Sequence, residues 1–234
     1  MKKAIVIGGS SGIGYGLTQE LLNNGYKVGV TGIEENFILN LKEDNVKAVC
    51  LDCKLNNNPQ VITELVDWLG GLDLLVFSAG IGNLNKDLGY SVENEANKLN
   101  VLAFTEIIDW SYRYFVKQRK GHLVAVTSLS GLFGSRVAPA YHAAKAYQIS
   151  YLEGFRQKAK KCGWPIHITD IRPGFVETPI TEGKKVFWAC TKEKAGKQIF
   201  QSIERKKKVA YVSRRWVIVA TAIKLLPKFL RNRM

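Results

Sequence analysis

Short apolar runs alternate along the chain with longer segments in which apolar and polar positions recur at helical spacing. The apolar runs predict strands at Ala4–Ile7, Val28–Thr31, Val46–Leu51, Leu72–Phe77, Leu123–Thr127 and Ile166–Ile171. The amphipathic segments predict helices near 12–24, 34–43, 58–70, 90–118 and 138–162. Nearly continuous apolar strands that alternate with helices are typical of a parallel sheet covered on both faces. With right-handed crossovers this pattern predicts a doubly wound α/β fold, which binds ligands at the carboxyl ends of its strands.

The last part of the chain continues the pattern and then changes character. Lys194–Arg205 predicts a further helix and Val209–Val212 a last strand, whereas Trp216–Leu230 is an apolar segment interrupted by lysines and a proline. No linker rich in Pro, Gly or Ser divides the chain. We therefore expect residues 1–234 to form one domain, with a basic, apolar C-terminal segment at about 213–234.

Composition excludes several classes of protein. The chain has 234 residues, of which 46% are hydrophobic and 23% charged, close to the average for globular proteins. This excludes intrinsic disorder and collagen-like or disulfide-dense scaffolds. The chain contains no run of eighteen apolar residues, so no membrane-spanning helix is predicted. The four cysteines lack a framework spacing, which suits a reducing compartment and predicts a cytoplasmic protein.

The net charge of +14 is concentrated at one end of the chain. From Lys184 onward there are fifteen Lys/Arg and two Asp/Glu, while the preceding residues are almost neutral. Such a basic end suits anionic lipid, nucleic acid or an acidic partner. A solvated lysine-rich surface is the alternative interpretation.

A glycine-rich turn follows the first predicted strand and opens the first predicted helix. Glycines let backbone amides approach a pyrophosphate without an intervening Cβ, and the helix N-terminus attracts that anion. A glycine turn between a strand and a helix is the context in which dinucleotides bind. The candidate phosphate-binding residues are Gly8, Ser10, Ser11, Gly12, Ile13 and Gly14.

Tyr141 and Lys145 are four residues apart in a predicted helix, so both side chains project from one face. An ammonium close to a phenol favours the phenolate and lowers the tyrosine pKa. A tyrosine tuned in this way can protonate a reduced carbonyl or deprotonate an alcohol. Ser128 ends the preceding strand, thirteen residues before Tyr141.

The spacing G-x-x-x-G-x-G of Gly8, Gly12 and Gly14, followed by Y-x-x-x-K, resembles the short-chain dehydrogenase/reductase family. Four further matches occur in family order: Asp52 after the third strand, Phe77-Ser78-Ala79-Gly80 at the family's N-A-G, the helix asparagine Asn100, and P-G-x-V-x-T at Pro173–Thr178. Ser78 replaces the asparagine of N-A-G, which is a departure from the family pattern. The resemblance covers roughly residues 3 to 180.

The resemblance implies an NAD(P)-dependent oxidoreductase that transfers hydride between the nicotinamide and a carbonyl or secondary alcohol. Tyr141 would be the general acid/base, Ser128 would bind the substrate oxygen, and Lys145 would also bind the nicotinamide ribose. Asn100 would hold a water that links Lys145 to solvent. The implied cofactor contacts are Gly8, Ser10, Ser11, Gly12, Ile13, Gly14, Thr31, Gly32, Asp52, Cys53, Ser78, Ala79, Gly80, Tyr141, Lys145, Pro173, Gly174, Val176 and Thr178.

The end of the second strand bears on the choice of nicotinamide cofactor. NAD-specific relatives tend to place an acid at the Gly32 position, and NADP users often place a basic residue at Ile33. This chain has neither the acidic residue nor the basic residue at these positions. Gly32 leaves room for a 2′-phosphate, to which Thr31 or Ser10 could donate a hydrogen bond. The acidic pair at 34–35 opposes such a phosphate. NADP(H) is slightly favoured over NAD(H).

Substrate and partners are less defined. The segment Ile180–Thr191 carries Phe187 and Trp188 among lysines, which suits an apolar substrate part, an anionic group, or simple packing of the aromatics on the core. The basic C-terminal helix suits peripheral contact with the inner membrane face, or packing on the core or a subunit interface. Family resemblance implies a homodimer or homotetramer. No nucleic acid partner and no metal are expected.

Two alternatives to the oxidoreductase stay open at this point. A non-catalytic dinucleotide-sensing or membrane-docking protein could share the fold, but it would need no proton donor such as Tyr141. A sugar-nucleotide epimerase shares Y-x-x-x-K, but it uses a different glycine spacing and a large C-terminal substrate domain.

Overall fold

Seven parallel strands form one sheet in the order β3-β2-β1-β4-β5-β6-β7. The structure, a computed structural model, describes residues 1–33, 44–55, 57–178 and 187–227. The strands are β1 Lys3–Ile7, β2 Lys27–Gly32, β3 Val46–Cys50, β4 Leu74–Phe77, β5 Gly121–Val126, β6 Ile166–Pro173 and β7 Val209–Val212. The strand order reverses beside β1, so β1 and β4 diverge there and leave a crevice at their carboxyl ends. The predicted doubly wound parallel sheet is confirmed.

Helices cover both faces of the sheet. They are α1 Gly12–Asn23, α2 Asn58–Leu69, α3 Tyr90–Asn97, α4 Phe104–Gln118, α5 Pro139–Cys162, α6 Lys192–Glu204 and α7 Trp216–Leu225. A π-helical turn, Lys98–Ala103, joins α3 to α4, and a 3₁₀ turn, Leu129–Leu132, follows β5.

The alternation of side chains along β1 explains the two cores. Ile5 and Ile7 are fully buried against α2, α4 and α5 on one face. Ala4 and Val6 are fully buried against α1 and α6 on the other face. Because successive strand residues point to opposite faces, one apolar strand supplies both cores.

The helix predicted near 90–118 is not continuous. The π-helical turn interrupts it, and Asn100 lies in that turn with its side chain bonded to the backbone of Ile81. Single π-helical turns are frequent at functional sites, and apolar periodicity does not reveal them. Strand boundaries differ from the predictions by at most two residues, and β7 is where it was predicted. The helix predicted at 34–43 lies outside the described residues.

The apolar C-terminal segment is helical only in part. α7 ends at Leu225, and Leu226 is extended with φ −65° and ψ 128° because Pro227 disfavours helical geometry in the residue before it. Residues 228–234 lie outside the described part of the chain. Within the described ranges, none of the helices combines the length and the apolar character needed to cross a bilayer.

Candidate active site

The carboxyl ends of the strands and the inner face of α7 enclose a cavity of about 520 Å³. It lies over the crevice where the fold predicts ligand binding. Three of the four predicted catalytic residues, and seven further predicted cofactor contacts, line it together. The predicted residues in its wall are Ile13, Ser78, Gly80, Ser128, Tyr141, Lys145, Pro173, Gly174, Val176 and Thr178.

The glycine turn, residues 8–14, is packed too tightly for side chains. Gly8 has φ +76°, and a Cβ on it would lie 2.6 Å from the backbone nitrogen of Ala79. A Cβ on Gly14 would collide with the carbonyl oxygen of Gly8. The turn therefore presents bare backbone at the N-terminus of α1, where the first amides lack helical acceptors. This cradle fits the pyrophosphate of a dinucleotide, and Ser10, Ser11, Gly12 and Ile13 complete it.

The end of β2 adjoins this turn. Thr31 is buried, and its Oγ1 accepts a hydrogen bond from the amide of Gly8 at 3.4 Å. A Cβ on Gly32 would collide with the side chain of Ser10, so these two residues are direct neighbours. Thr31 thus supports the turn from beneath, whereas Ser10 lies beside the open position at Gly32.

Asp52 and Cys53 follow β3 at the same edge of the sheet. Asp52 accepts a hydrogen bond from the amide of Lys54 at 3.0 Å and pairs with its ammonium at 3.7 Å. Cys53 is buried, and burial raises the pKa of its thiol to about 12, so it stays protonated. The structure does not bring either residue into the wall of the cavity, which suits contacts at the adenine end of a dinucleotide.

Ser128, Tyr141 and Lys145 form the polar part of the cavity wall. Ser128 caps the 3₁₀ turn after β5, and its side chain hydrogen-bonds Tyr141. Lys145 Nζ lies 5.8 Å from the centroid of the Tyr141 ring. Burial raises the pKa of the Tyr141 phenol, and the bond from Ser128 opposes that rise. Burial also lowers the pKa of Lys145 to about 8, with the carboxylate of Asp170 acting in the opposite direction.

The backbone carbonyl of Asn100, rather than its side chain, is linked to Lys145 through hydrogen bonds. Its side chain is engaged with Ile81, donating to the carbonyl at 2.7 Å and accepting from the amide at 3.2 Å. Its carbonyl oxygen accepts a hydrogen bond from Gln148 Nε2 at 2.8 Å. Gln148 Oε1 in turn accepts from Lys145 Nζ at 3.1 Å. The resemblance implied a water at Asn100, and the structure has the Gln148 carboxamide between Asn100 and Lys145.

A buried ion pair lies beneath Lys145 and was missed by sequence reasoning. Arg172 Nη2 is 2.6 Å from Asp170 Oδ2, and Thr127 Oγ1 donates to Asp170 Oδ1 at 2.6 Å. Asp170 is fully buried. The signal was available, since an aspartate between the apolar positions Ile168 and Ile171 of a predicted buried strand is rare unless it is paired, and Arg172 follows two residues later.

The opposite side of the cavity is an aromatic wall, in which Phe175, Phe187 and Trp216 line the cavity and Trp188 packs against Trp216. The Trp216 ring centroid lies 5.6 Å from Phe175, 5.3 Å from Phe187 and 5.9 Å from Trp188. Trp216 is only 4% exposed. Val219 and Ile223 of α7 line the cavity beside it. The sequence drew attention to Phe187 and Trp188, but Trp216 and α7 had no assigned place in the site.

A family model for short chain dehydrogenases matches residues 2–209. The chain belongs to the short chain dehydrogenase family. An uncharacterized oxidoreductase of Staphylococcus epidermidis is 29% identical over 188 residues, which cover 78% of this chain and 81% of that protein. One from Staphylococcus saprophyticus is 30% identical over 190 residues, covering 77% and 80%. As a short chain dehydrogenase, the protein is an NAD(P)-dependent oxidoreductase that acts on small molecules.

Solved structures share the fold of this short chain dehydrogenase at low identity. A short chain dehydrogenase/reductase from Burkholderia phymatum in complex with NAD superposes with a TM-score of 0.84 at 16% identity, covering 94% of this chain and 92% of that one. ElxO with NADP bound gives a TM-score of 0.79 at 22% identity, covering 93% and 100%. Since one neighbour holds NAD and the other NADP, the likeness does not separate the two cofactors.

The family model covers only part of the candidate active site of this short chain dehydrogenase. The glycine turn, Ser128, Tyr141 and Lys145 lie inside the matched residues, whereas α7 begins at Trp216, beyond the end of the match. The part of the cavity formed by α7 therefore lies outside the residues that the family model matches.

Proposed function

We propose that Tyr141 is the general acid/base of a reductase or dehydrogenase acting on a carbonyl or secondary alcohol that bears an apolar group. The observation that carries this proposal is that Ser128, Tyr141 and Lys145 line one cavity whose opposite wall is aromatic. The cofactor, when bound, supplies or accepts the hydride. Gly8, Ser10, Ser11, Gly12, Ile13 and Gly14 would hold its pyrophosphate.

The remaining chemistry belongs to this chain's own side chains. Ser128 donates a hydrogen bond to the substrate oxygen and keeps it within reach of Tyr141. Because burial raises the phenol pKa, Tyr141 is protonated at neutral pH and acts as the acid toward a carbonyl. The Lys145 ammonium stabilises the phenolate that remains after proton transfer, which makes that transfer less costly.

Replacing Tyr141 with Phe tests this assignment. We expect kcat/KM for a ketone panel with NADPH to fall by about 10² to 10⁴-fold. Cofactor binding, measured by NADPH fluorescence, should be nearly unchanged because the ring remains in place. Tyr147→Phe is the matched control, since it removes a partly exposed hydroxyl from the same helix. Full activity in Tyr141→Phe would contradict the assignment and favour the non-catalytic alternative.

We further propose that NADP(H) is preferred over NAD(H). Position 32 carries no carboxylate to bind a ribose 2′-hydroxyl, and Ser10 lies directly beside it. The Ser10 hydroxyl can donate to a 2′-phosphate, whereas Thr31 is buried beneath the turn. A fluorescence titration with each reduced cofactor, repeated with Ser10→Ala, tests this. A lower dissociation constant for NADH than for NADPH would contradict it.

Lys145 is the one charged side chain in the described wall of the cavity, and the rest of that wall is neutral, which supports an apolar substrate. Burial lowers the pKa of His142, whose ring nitrogen Nδ1 bonds the carbonyl of Phe133 at 2.9 Å, so this histidine is neutral at pH 7. Lys145 is engaged by Val126 and Gln148. We expect alkyl and aryl ketones to be reduced with higher kcat/KM than keto acids of equal size, and the reverse order would contradict this.

We also propose peripheral contact with the inner face of a membrane through α7. Its outer face exposes 72% of Ile218 and 78% of Leu225, and Arg214 and Arg215 precede it. Exposed apolar groups beside cations suit an anionic bilayer surface. Co-sedimentation with vesicles of anionic and of zwitterionic lipid tests this, with Ile218→Ser as the variant. Equal recovery with both lipids would contradict it.

The remaining assignments concern assembly and location. We propose that residues 1–234 form one domain, because α7 packs Trp216 into the cavity wall rather than away from it. We propose a homodimer or homotetramer through the surface of α4 and α5, where Tyr147 Oη and Thr105 Oγ1 lie 2.8 Å apart and Tyr147 is partly exposed. Light scattering during gel filtration tests the assembly. Four free cysteines support a cytoplasmic location.

A further inference from the structure

Gln148 is a buried glutamine on the face of α5 that carries Lys145. It is fully buried, as is Asn100, and Lys145 is 3% exposed. Each end of its carboxamide has a partner: Oε1 accepts from Lys145 Nζ at 3.1 Å, and Nε2 donates to the Asn100 carbonyl at 2.8 Å. Burying an amide is costly unless both ends are bonded, and here both are.

The second acceptor of Lys145 completes the arrangement. Lys145 Nζ also donates to the carbonyl of Val126 at 3.1 Å. Two fixed acceptors, one from β5 and one from α5, hold the ammonium where it approaches Gly80 and the Tyr141 ring. Hydrogen bonds to a charged donor are stronger than neutral ones, so these two acceptors oppose the lowering of the Lys145 pKa by burial.

We propose that Gln148 is the positioning residue for Lys145, taking the place between that lysine and the Asn100 carbonyl which the family resemblance gives to a water. The inference rests on the proposed function, because Lys145 acts on Tyr141 there. A carboxamide neither gains nor loses a proton near neutral pH. Gln148 therefore fixes the ammonium and its charge without passing a proton along the bridge, so Tyr141 regains its proton from the cavity side.

The test must distinguish the effect of Gln148 on the Lys145 pKa from the effects of the other charged groups near Lys145. Asp170 on β6 attracts the ammonium and is itself paired with Arg172. Tyr141 on the same helix is the other titratable neighbour. All three of these groups remain in a Gln148 variant, so a change in the Lys145 pKa reports the carboxamide alone.

The first measurement is the Lys145 pKa in the full-length protein without cofactor. The protein is labelled with [¹³Cε]lysine and titrated by NMR, and the Lys145 signal is assigned by its loss in Lys145→Met. Gln148→Leu removes an acceptor from the ammonium, so we expect its pKa to fall by about one unit. Gln148→Glu keeps the shape and adds an opposite charge, so we expect a rise of about one unit or more.

The pH profile of kcat/KM should move in the same two directions, because the limb that reports loss of the Lys145 charge follows its pKa. Gln157→Leu, an exposed glutamine on the same helix, is the matched control and should move neither readout. If Gln148 served only in packing, both variants would have a lower melting temperature. The Lys145 pKa and the pH profile of kcat/KM would then not move in opposite directions in the two variants.

Shifts of the same sign in both variants, or no shift, would overturn the proposal. If Gln148→Leu does not fold, Gln148→Met, which is closer to glutamine in shape and also lacks the acceptor, decides the matter, since the absence of a fall in the Lys145 pKa would overturn the proposal. Failure of the proposed function is distinguishable. Tyr141→Phe would then retain activity while the Lys145 signal still moved in the Gln148 variants.

Discussion

The glycine turn and the aromatic wall face the same cavity, but their close contacts differ in kind. In the turn, Gly14 abuts the carbonyl oxygen of Gly8, and Gly8 abuts the backbone of Ala79. In the wall, Gly174 abuts the indole of Trp216, which packs against further rings. The first region fits backbone against backbone, whereas the second fits backbone and side chains against a side chain.

The difference explains why the turn is readable from the sequence as a unit, whereas Phe187, Trp188 and Trp216 of the wall belong to no motif. Backbone cannot retreat from an added Cβ, so contacts of the first kind admit glycine only. Side chains can exchange volume among themselves and still fill a cavity, so contacts of the second kind admit many combinations. The family match accordingly includes the turn and ends at residue 209, before Trp216.

The largest expected effect comes from removing the centre of the aromatic wall. Trp216→Ala deletes a buried indole, and we expect the free energy of unfolding to fall by about 3 to 5 kcal/mol. NADPH affinity should change by less than about twofold, since the turn is untouched. Urea unfolding and NADPH fluorescence measure the two quantities. Trp188→Ala, at a ring 47% exposed, is the control and should cost far less. An equal loss in both variants would show that the wall is not organised around Trp216.

A smaller loss of stability, but a larger loss of binding, is expected from Gly14→Ala. The new Cβ meets the Gly8 carbonyl, so the turn must open at a cost of about 1 to 3 kcal/mol. The displaced amides then no longer converge on the pyrophosphate, and we expect NADPH affinity to fall about 100-fold, near the upper end of that cost. Gly154→Ala is the control, because a Cβ there meets nothing within 4 Å. Unchanged binding in Gly14→Ala would place the pyrophosphate elsewhere.

The sequence was sufficient for the fold and for the polar half of the site, for a physical reason. Strands buried on both faces give continuous apolar runs, and the turn and Tyr141–Lys145 have fixed spacing along single elements. The interruption at Lys98–Ala103 was not predicted, since apolar periodicity is nearly the same in α and π turns. Gln148 and Asp170 were not predicted either, because Asn100 and Thr127, which complete their hydrogen bonding, come from distant parts of the chain.

The smallest expected effect tests whether the aromatic wall adapts as its contacts suggest. Gly174→Ala drives a Cβ against the Trp216 indole, which must shift against its neighbouring rings, so we expect a stability loss of about 1 kcal/mol, the lower end of the cost of overpacking. The shifted ring should change the ratio of kcat/KM between a bulky and a small ketone by about tenfold, within the range for one methylene in a pocket. Adding Trp216→Phe supplies the missing space. In the double variant the ratio of kcat/KM between the bulky and the small ketone should therefore return part of the way to its original value, because the two positions are coupled. Strictly additive effects of the two substitutions would mean that the ring does not move in response to residue 174. The aromatic wall would then be as rigid as the glycine turn. The difference between the two regions would have to come from evolutionary divergence of the sequence rather than from packing.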